Sequence, residues 1–321
     1  MGKNIIRFIA YALVAALFLF GVIIFVYPLL SGYMSEHNSA VYIQDFENAK
    51  EYLTEKEQSD SDSANQDDSA NHKQGSGTLD RLYEKMQQYN ANIYETHQAG
   101  LCDAWAYEQS SVDLSEFGID NSAVAVLRVP RMGNLEMPIF LGASRNNMSL
   151  GAAQLGETSM PIGGINTNCV LAGHRGWSGA RYFLDIEQMQ LGDMVYIENY
   201  WETLSYKVTD IQVIYPDDIQ KVLIQDGKDM VTLFTCHPYW ASTYRYAVFC
   251  ERFYEEDKHP ETVSTVPAQN AIEDPHQTDD AIEVDESSQT RIFLERASYV
   301  IIPIILIVLS IILAAIRRRK E

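Results

Sequence analysis

A mainly β fold, closed into a barrel and carrying only short helices, is predicted for the middle of this 321-residue chain by three observations. Apolar residues fall in short runs, several runs alternate with a period of two, and glycine or proline signals separate them. The runs are 123–129, 135–141, 169–172, 194–198, 204–215, 230–236 and 244–253, and the alternation is clearest in Tyr206-x-Val208 and Ile211-x-Val213-x-Tyr215. Residues 112–254 are enough for one core. Seven or eight strands in that length favour a closed barrel, because closure removes the edge strands that an open sheet exposes. Only short helices fit among them, such as one over 180–189.

The flanks read differently. Segments 40–53 and 79–97 carry apolar and aromatic residues at helical spacing (Leu82, Met86, Tyr89, Ile93), which predicts an N-terminal helical hairpin packed on the barrel. Between them, 55–77 is too polar to bury a core and is expected to lack fixed structure. An acidic, proline-containing stretch, 255–298, reads as a linker. Residues 5–30 and 299–316 are almost continuously apolar, each about long enough to cross a bilayer, with Lys3, Arg7 and Arg317-Arg-Arg-Lys320 on their terminal sides. Excess positive charge marks the cytoplasmic side of a membrane. Two membrane spans follow as the expectation, with residues 1–4 and 317–321 cytoplasmic, segment 31–111 holding the hairpin, and the barrel outside the cytoplasm.

A net charge of −20 argues against nucleic-acid binding, which needs a basic footprint. Four cysteines, Cys102, Cys169, Cys236 and Cys250, form no Cys-x-x-Cys pair and match no zinc spacing, so neither a metal nor a disulfide framework is implied.

Chemistry concentrates at Cys236, which ends the run Val231-Thr-Leu-Phe-Thr235 and precedes Arg245 by nine positions. A thiol that attacks carbonyls needs a cation to stabilise its thiolate and a proton donor for the leaving group. Arg245 can supply the first. His174, in Leu171-Ala-Gly-His174-Arg-Gly176, can supply the second, because its glycine neighbours allow close backbone approach. His237 is excluded as a second base, since adjacent residues at the end of an extended strand point to opposite faces.

Together, Ala-Gly-His174-Arg-Gly and Thr232-Leu-Phe-Thr-Cys236-His-Pro-Tyr…Arg245 resemble the sortases. Met160-Pro-Ile-Gly-Gly164 and Gly192-Asp-Met-Val-Tyr-Ile197 are similar to motifs of their pilus-assembling class C branch, which also carries a second C-terminal span. The resemblance implies an eight-stranded barrel and a cysteine transpeptidase without metal or organic cofactor. It implies cleavage of a Leu-Pro-x-Thr-Gly-like signal between Thr and Gly, with Cys236 as nucleophile, His174 as acid and base, and Arg245 stabilising charge. It also implies substrate contacts near Thr235 and Ala172. The substrate is then a pilin or surface protein, and the acceptor is a pilin lysine amine. Transfer to a cell-wall precursor amine, and a non-catalytic membrane-tethered binding module, stand as alternatives.

Class C enzymes also resemble one another in an Asp-Pro-aromatic lid, matched here by Asp103-Ala-Trp105 within 101–105. Ala104 stands where that motif has proline, which implies a less rigid segment. Trp240 and Ser242 stand where the family often has glycine and asparagine. Cys102 beside the lid is either a free, partly buried thiol or a partner for Cys236 in an inactivating disulfide.

Overall fold

The computed structural model describes residues 2–64, 77–107, 117, 123–176, 180–239 and 241–254. These fall into two units: a smaller one including 1–37 and 176–181, and a larger one including 38–175 and 182–254. In the smaller unit, Tyr33 and His37 stack one helical turn apart with ring centroids separated by 6.5 Å.

Eight strands close a barrel in the order β1-β2-β3-β4-β7-β8-β6-β5. They are β1 (Ala125–Val129), β2 (Leu135–Leu141), β3 (Ala152–Gln154), β4 (Thr167–Ala172), β5 (Met194–Glu198), β6 (Thr203–Ile214), β7 (Asp229–His237) and β8 (Tyr244–Arg252). Seven coincide with the runs read from the sequence. The eighth, β3, was not expected, because three residues are too few to show a period. It pairs parallel to β2 and antiparallel to β4 and so closes the sheet. A short helix, Arg145–Leu150, leads into it, with Ser144 as N-cap accepting from the Asn147 amide at 3.1 Å.

Strand β7 lies between β4, to which it is parallel, and β8, to which it is antiparallel. All nine of its residues are buried, as expected of a strand covered on both faces. The helix expected over 180–189 is corrected: the described part is a turn followed by a 3-10 turn at Ile186–Gln188. Phe183 and Ile186 are fully buried, and anchoring them overrides a weak helical preference.

Helix α1 is Gly2–Ala64 and helix α2 is Thr78–Glu95. α1 therefore runs on to Ala64, into the stretch read as lacking structure; residues 65–76 lie outside the described ones. Both helices pack on the barrel. From α1, Lys50 pairs with Glu198 of β5 at 3.0 Å, and Phe46 meets Tyr200 at 4.9 Å between centroids. From α2, Asn90 Oδ1 accepts from the Met160 amide at 2.8 Å, and the Tyr89 hydroxyl accepts from the Glu157 amide at 3.1 Å. Burial of Leu79, Leu82, Met86 and Ile93 gives α2 one apolar face, which is what their spacing indicated.

The expected location is corrected. Among the described residues no helix is long and apolar enough to cross a membrane. The apolar run 5–30 is no helix of its own; it is part of a 63-residue helix that continues through a polar, acidic half. Two spans holding the barrel outside the cytoplasm are therefore not carried forward. The other apolar run, 299–316, the linker 255–298 and the basic tail lie outside the described residues.

Candidate active site

The geometry begins with register. Cys236 and Arg245 are direct partners across the antiparallel β7–β8 ladder, so their side chains leave the same face of the sheet. On the other side of β7, the parallel β4 ladder ends with Ala172 opposite Phe234. Two residues further along each chain are His174 and Cys236. The parity of an extended chain turns both toward the face that carries Phe234 and Ala172. His174, Cys236 and Arg245 thus meet at one end of the barrel, and all three are buried.

The turn after β4 requires Gly173. A Cβ there would lie 2.9 Å from two carbons of the Phe183 ring, which is itself fully buried. The Gly173 amide donates to Phe234 O at 3.1 Å, and the Phe183 amide donates to His174 O at 3.0 Å. His174 is thereby held from both sides through its backbone.

Segment 101–107 covers this face. Asp103 caps a 3-10 turn, Ala104–Ala106, by accepting from the Trp105 amide at 3.2 Å. Its carboxylate also takes two hydrogen bonds from Arg245, Nε at 2.8 Å and Nη2 at 2.7 Å. The guanidinium lies 4.6 Å from the centre of the Trp105 ring. Trp105 in turn meets His174 at 6.5 Å and Phe234 at 6.0 Å between centroids. Leu101 and Ala104 are buried in the same apolar cluster as Phe234, Ala172 and Ala247, so this segment is packed as part of a core. Tyr107 sits under Arg145, 4.5 Å from guanidinium carbon to ring centre.

Covering changes the electrostatics. Burial pushes the Cys236 thiol above its ordinary value; Arg245 and a hydrogen bond from Ser242 pull it back, and Asp103 pushes it up again. Burial lowers His174, with the Arg145 cation adding to the effect. Both shifts favour the uncharged form of each group.

Each site residue read from the sequence has a definite place. Asp103, Trp105, His174, Cys236 and Arg245 are brought together. Thr235 and Ala172 are fully buried, and the Thr235 hydroxyl donates to Gly173 O at 2.7 Å, so neither offers a surface to a ligand in this covered arrangement. His237 points away from Cys236, into a pocket with Arg175 and Glu187. None of the four cysteines is in a disulfide. Ser242 was missed as a contact to the thiol. It adopts φ 55°, a region where asparagine is enriched, which is the residue the related motif carries there. Arg175, Glu187, Arg145 and Tyr107 were also missed; only Arg175, next to His174, had a position that could have drawn notice. Among the described residues no cluster of His, Cys, Asp and Glu could hold a metal ion.

A buried cysteine, a histidine and an arginine thus converge at the end of a closed β-barrel. The family profile for the Sortase domain matches residues 127–253. Among proteins of known sequence, sortase A of Bacillus anthracis is 28% identical over 167 residues, covering 51% of this chain and 77% of that protein. Streptococcus agalactiae sortase C1, solved in complex with MTSET, is 31% identical with a TM-score of 0.50, covering 55% of this chain and 90% of that one. A pilus-related sortase C of Group B Streptococcus is 28% identical with a TM-score of 0.55, covering 66% of this chain and 97% of that one. The chain belongs to the sortase family, in its class C branch, and is a cysteine transpeptidase acting on LPxTG-type signals and amine acceptors.

Proposed function

We propose that this enzyme polymerises pilins. Cys236 attacks the threonine carbonyl of an LPxTG-like sorting signal, and the Thr–Gly bond breaks as the Cys236–acyl thioester forms. The thiol proton passes to His174, which delivers it to the departing glycine amine. A pilin lysine amine then attacks the thioester, gives its proton to His174, and the C–S bond breaks with the thiol restored. Arg245 neutralises the thiolate and the developing oxyanion with its fixed fork of donors.

One observation carries this reading: the Asp103–Trp105 segment lies on Arg245 and beside His174, so a substrate reaches Cys236 only after the lid leaves. The solved relatives that are named sortase C agree with it. Relatives named sortase A favour a second reading, in which a cell-wall precursor amine releases the acyl group. Incubation of the full chain with sorting-signal peptides and a choice of amines separates the two. Pilin polymerisation requires a thioester on Cys236, its absence in Cys236→Ala, and preferential transfer to a lysine within a pilin domain. Exclusive transfer to the wall-precursor amine would leave the second reading.

A further inference from the structure

Behind the catalytic face lies a second polar cluster that this mechanism does not use. Arg175, Glu187 and His237 are each nearly excluded from solvent, with side-chain exposures of 2%, 7% and 3%. Arg175 pairs with Glu187 through Nη2, and its Nη1 lies 2.7 Å from His237 Nδ1. Nδ1 is 3.3 Å from Glu187 Oε1. A guanidinium can only donate, so the shorter contact makes Nδ1 the acceptor and places the ring proton on Nε2. Tyr246 closes the cluster, its ring centre 5.6 Å from that of His237 and 5.9 Å from the Arg175 guanidinium carbon.

The location of these residues is specific. Thr235 donates to Gly173 O at 2.7 Å. Two residues on, Arg175 reaches His237, and the same Nη1 lies 3.5 Å from Cys236 O. The chain segments 173–175 and 235–237 are therefore tied at both outer rungs, and the middle rung is the pair His174 and Cys236. Both ties lie on the opposite face from the thiol. Neither side chain of the catalytic pair takes part in these two ties, which add to the Gly173 N–H to Phe234 O hydrogen bond at 3.1 Å in fixing the two segments against each other.

Resting on the assignment of His174 and Cys236 as the reacting pair, we propose that Arg175 and His237, clamped by Glu187, are positioning residues that hold the imidazole in register with the thiol. The hydrogen bond into His237 Nδ1 is the feature that matters, rather than the volume of the ring. This gives the histidine after the nucleophile a role in transpeptidation through Arg175.

Three variants of the full chain test it. His237→Ala and His237→Phe remove the acceptor, the second while keeping an aromatic ring against Tyr246, and both leave the Arg175–Glu187 pair intact. His237→Asn retains an oxygen acceptor. The expected result for Ala and Phe is a kcat lower by roughly ten- to hundredfold, from misalignment. KM should be within about twofold of wild type, since Cys236 and Arg245 lie on the opposite face of the sheet from His237. In the Asp103→Ala background, the rate of Cys236 alkylation by iodoacetamide should stay within about twofold, because alkylation needs the thiolate and no proton donor for a leaving group. His237→Asn should recover most of kcat. Wild-type kcat in His237→Phe, or an Asn variant as slow as Phe, would overturn the proposal, as would a matching fall in alkylation and kcat. Failure of the wild-type chain to cleave any sorting peptide would instead overturn the assignment of the reacting pair.

Discussion

Asp103 and Arg245 form a two-point ion pair across 142 residues of sequence, with N···O distances of 2.8 and 2.7 Å. In the mechanism proposed above Arg245 is the cation beside the Cys236 thiolate, and here the Asp103 carboxylate occupies its Nε and Nη2 donors.

Loss of this contact should activate the thiol. In Asp103→Ala the carboxylate that raises the Cys236 pKa is gone, and a lid without its anchor no longer excludes water. The midpoint of the pH–alkylation profile is expected to move to lower pH, and the rate at neutral pH to rise roughly tenfold for each unit of that shift. An unchanged midpoint would show that Asp103 does not control the nucleophile.

Ala104→Pro should act in the opposite sense. Asp103 has φ −60° and ψ 138°, an extended conformation that a following proline favours, and Ala104 is the first residue of the 3-10 turn. Restricting the open lid should stabilise the closed one by about 0.4–1 kcal/mol, which corresponds to alkylation slower by about two- to fivefold. Faster alkylation would mean that the ring does not fit the buried site of Ala104.

Gly173→Ala tests the turn that carries His174. The added methyl meets a Phe183 ring that has no exposed side to move toward. A destabilisation of about 1–3 kcal/mol is expected by thermal or denaturant unfolding, together with a lower kcat. A variant of wild-type stability and activity would show that the ring yields.

Glu187 gives a pH signature of the rear cluster. Burial alone would raise its carboxyl, but the paired Arg175 cation lowers it, and the net direction is below the ordinary range. Its stabilisation is therefore present above the unfolded value of about 4.3 and is lost as pH falls through the lower folded value. The stability difference between wild type and Glu187→Gln should shrink on acidification below about pH 4.3, measured by urea unfolding. A difference independent of pH would contradict the ion pair.

Much of the barrel was legible because period-two alternation is a local property: β2 and β5 coincide with their sequence runs residue for residue, and β6 is displaced by one. β3 was not legible, since three residues carry no period, and its place is set by partners on either side. The 180–189 segment failed for the converse reason: its spacing suits a helix, but burial of Phe183 and Ile186 decided otherwise.

Local patterns in the chain mark the residue types that could carry the chemistry: a cysteine ending one strand, an arginine in the next, a histidine between glycines, and an aspartate and tryptophan ahead of the barrel. Those are short-range patterns, readable wherever they occur. That Asp103 binds Arg245, that segment 101–107 packs as core, and that His237 turns its back on Cys236 to meet Arg175 and Glu187 emerges in three dimensions alone. Such pairings join residues far apart in the chain. They exist because barrel closure brings β4, β7 and β8 side by side, and no local pattern encodes which side chains then share a face.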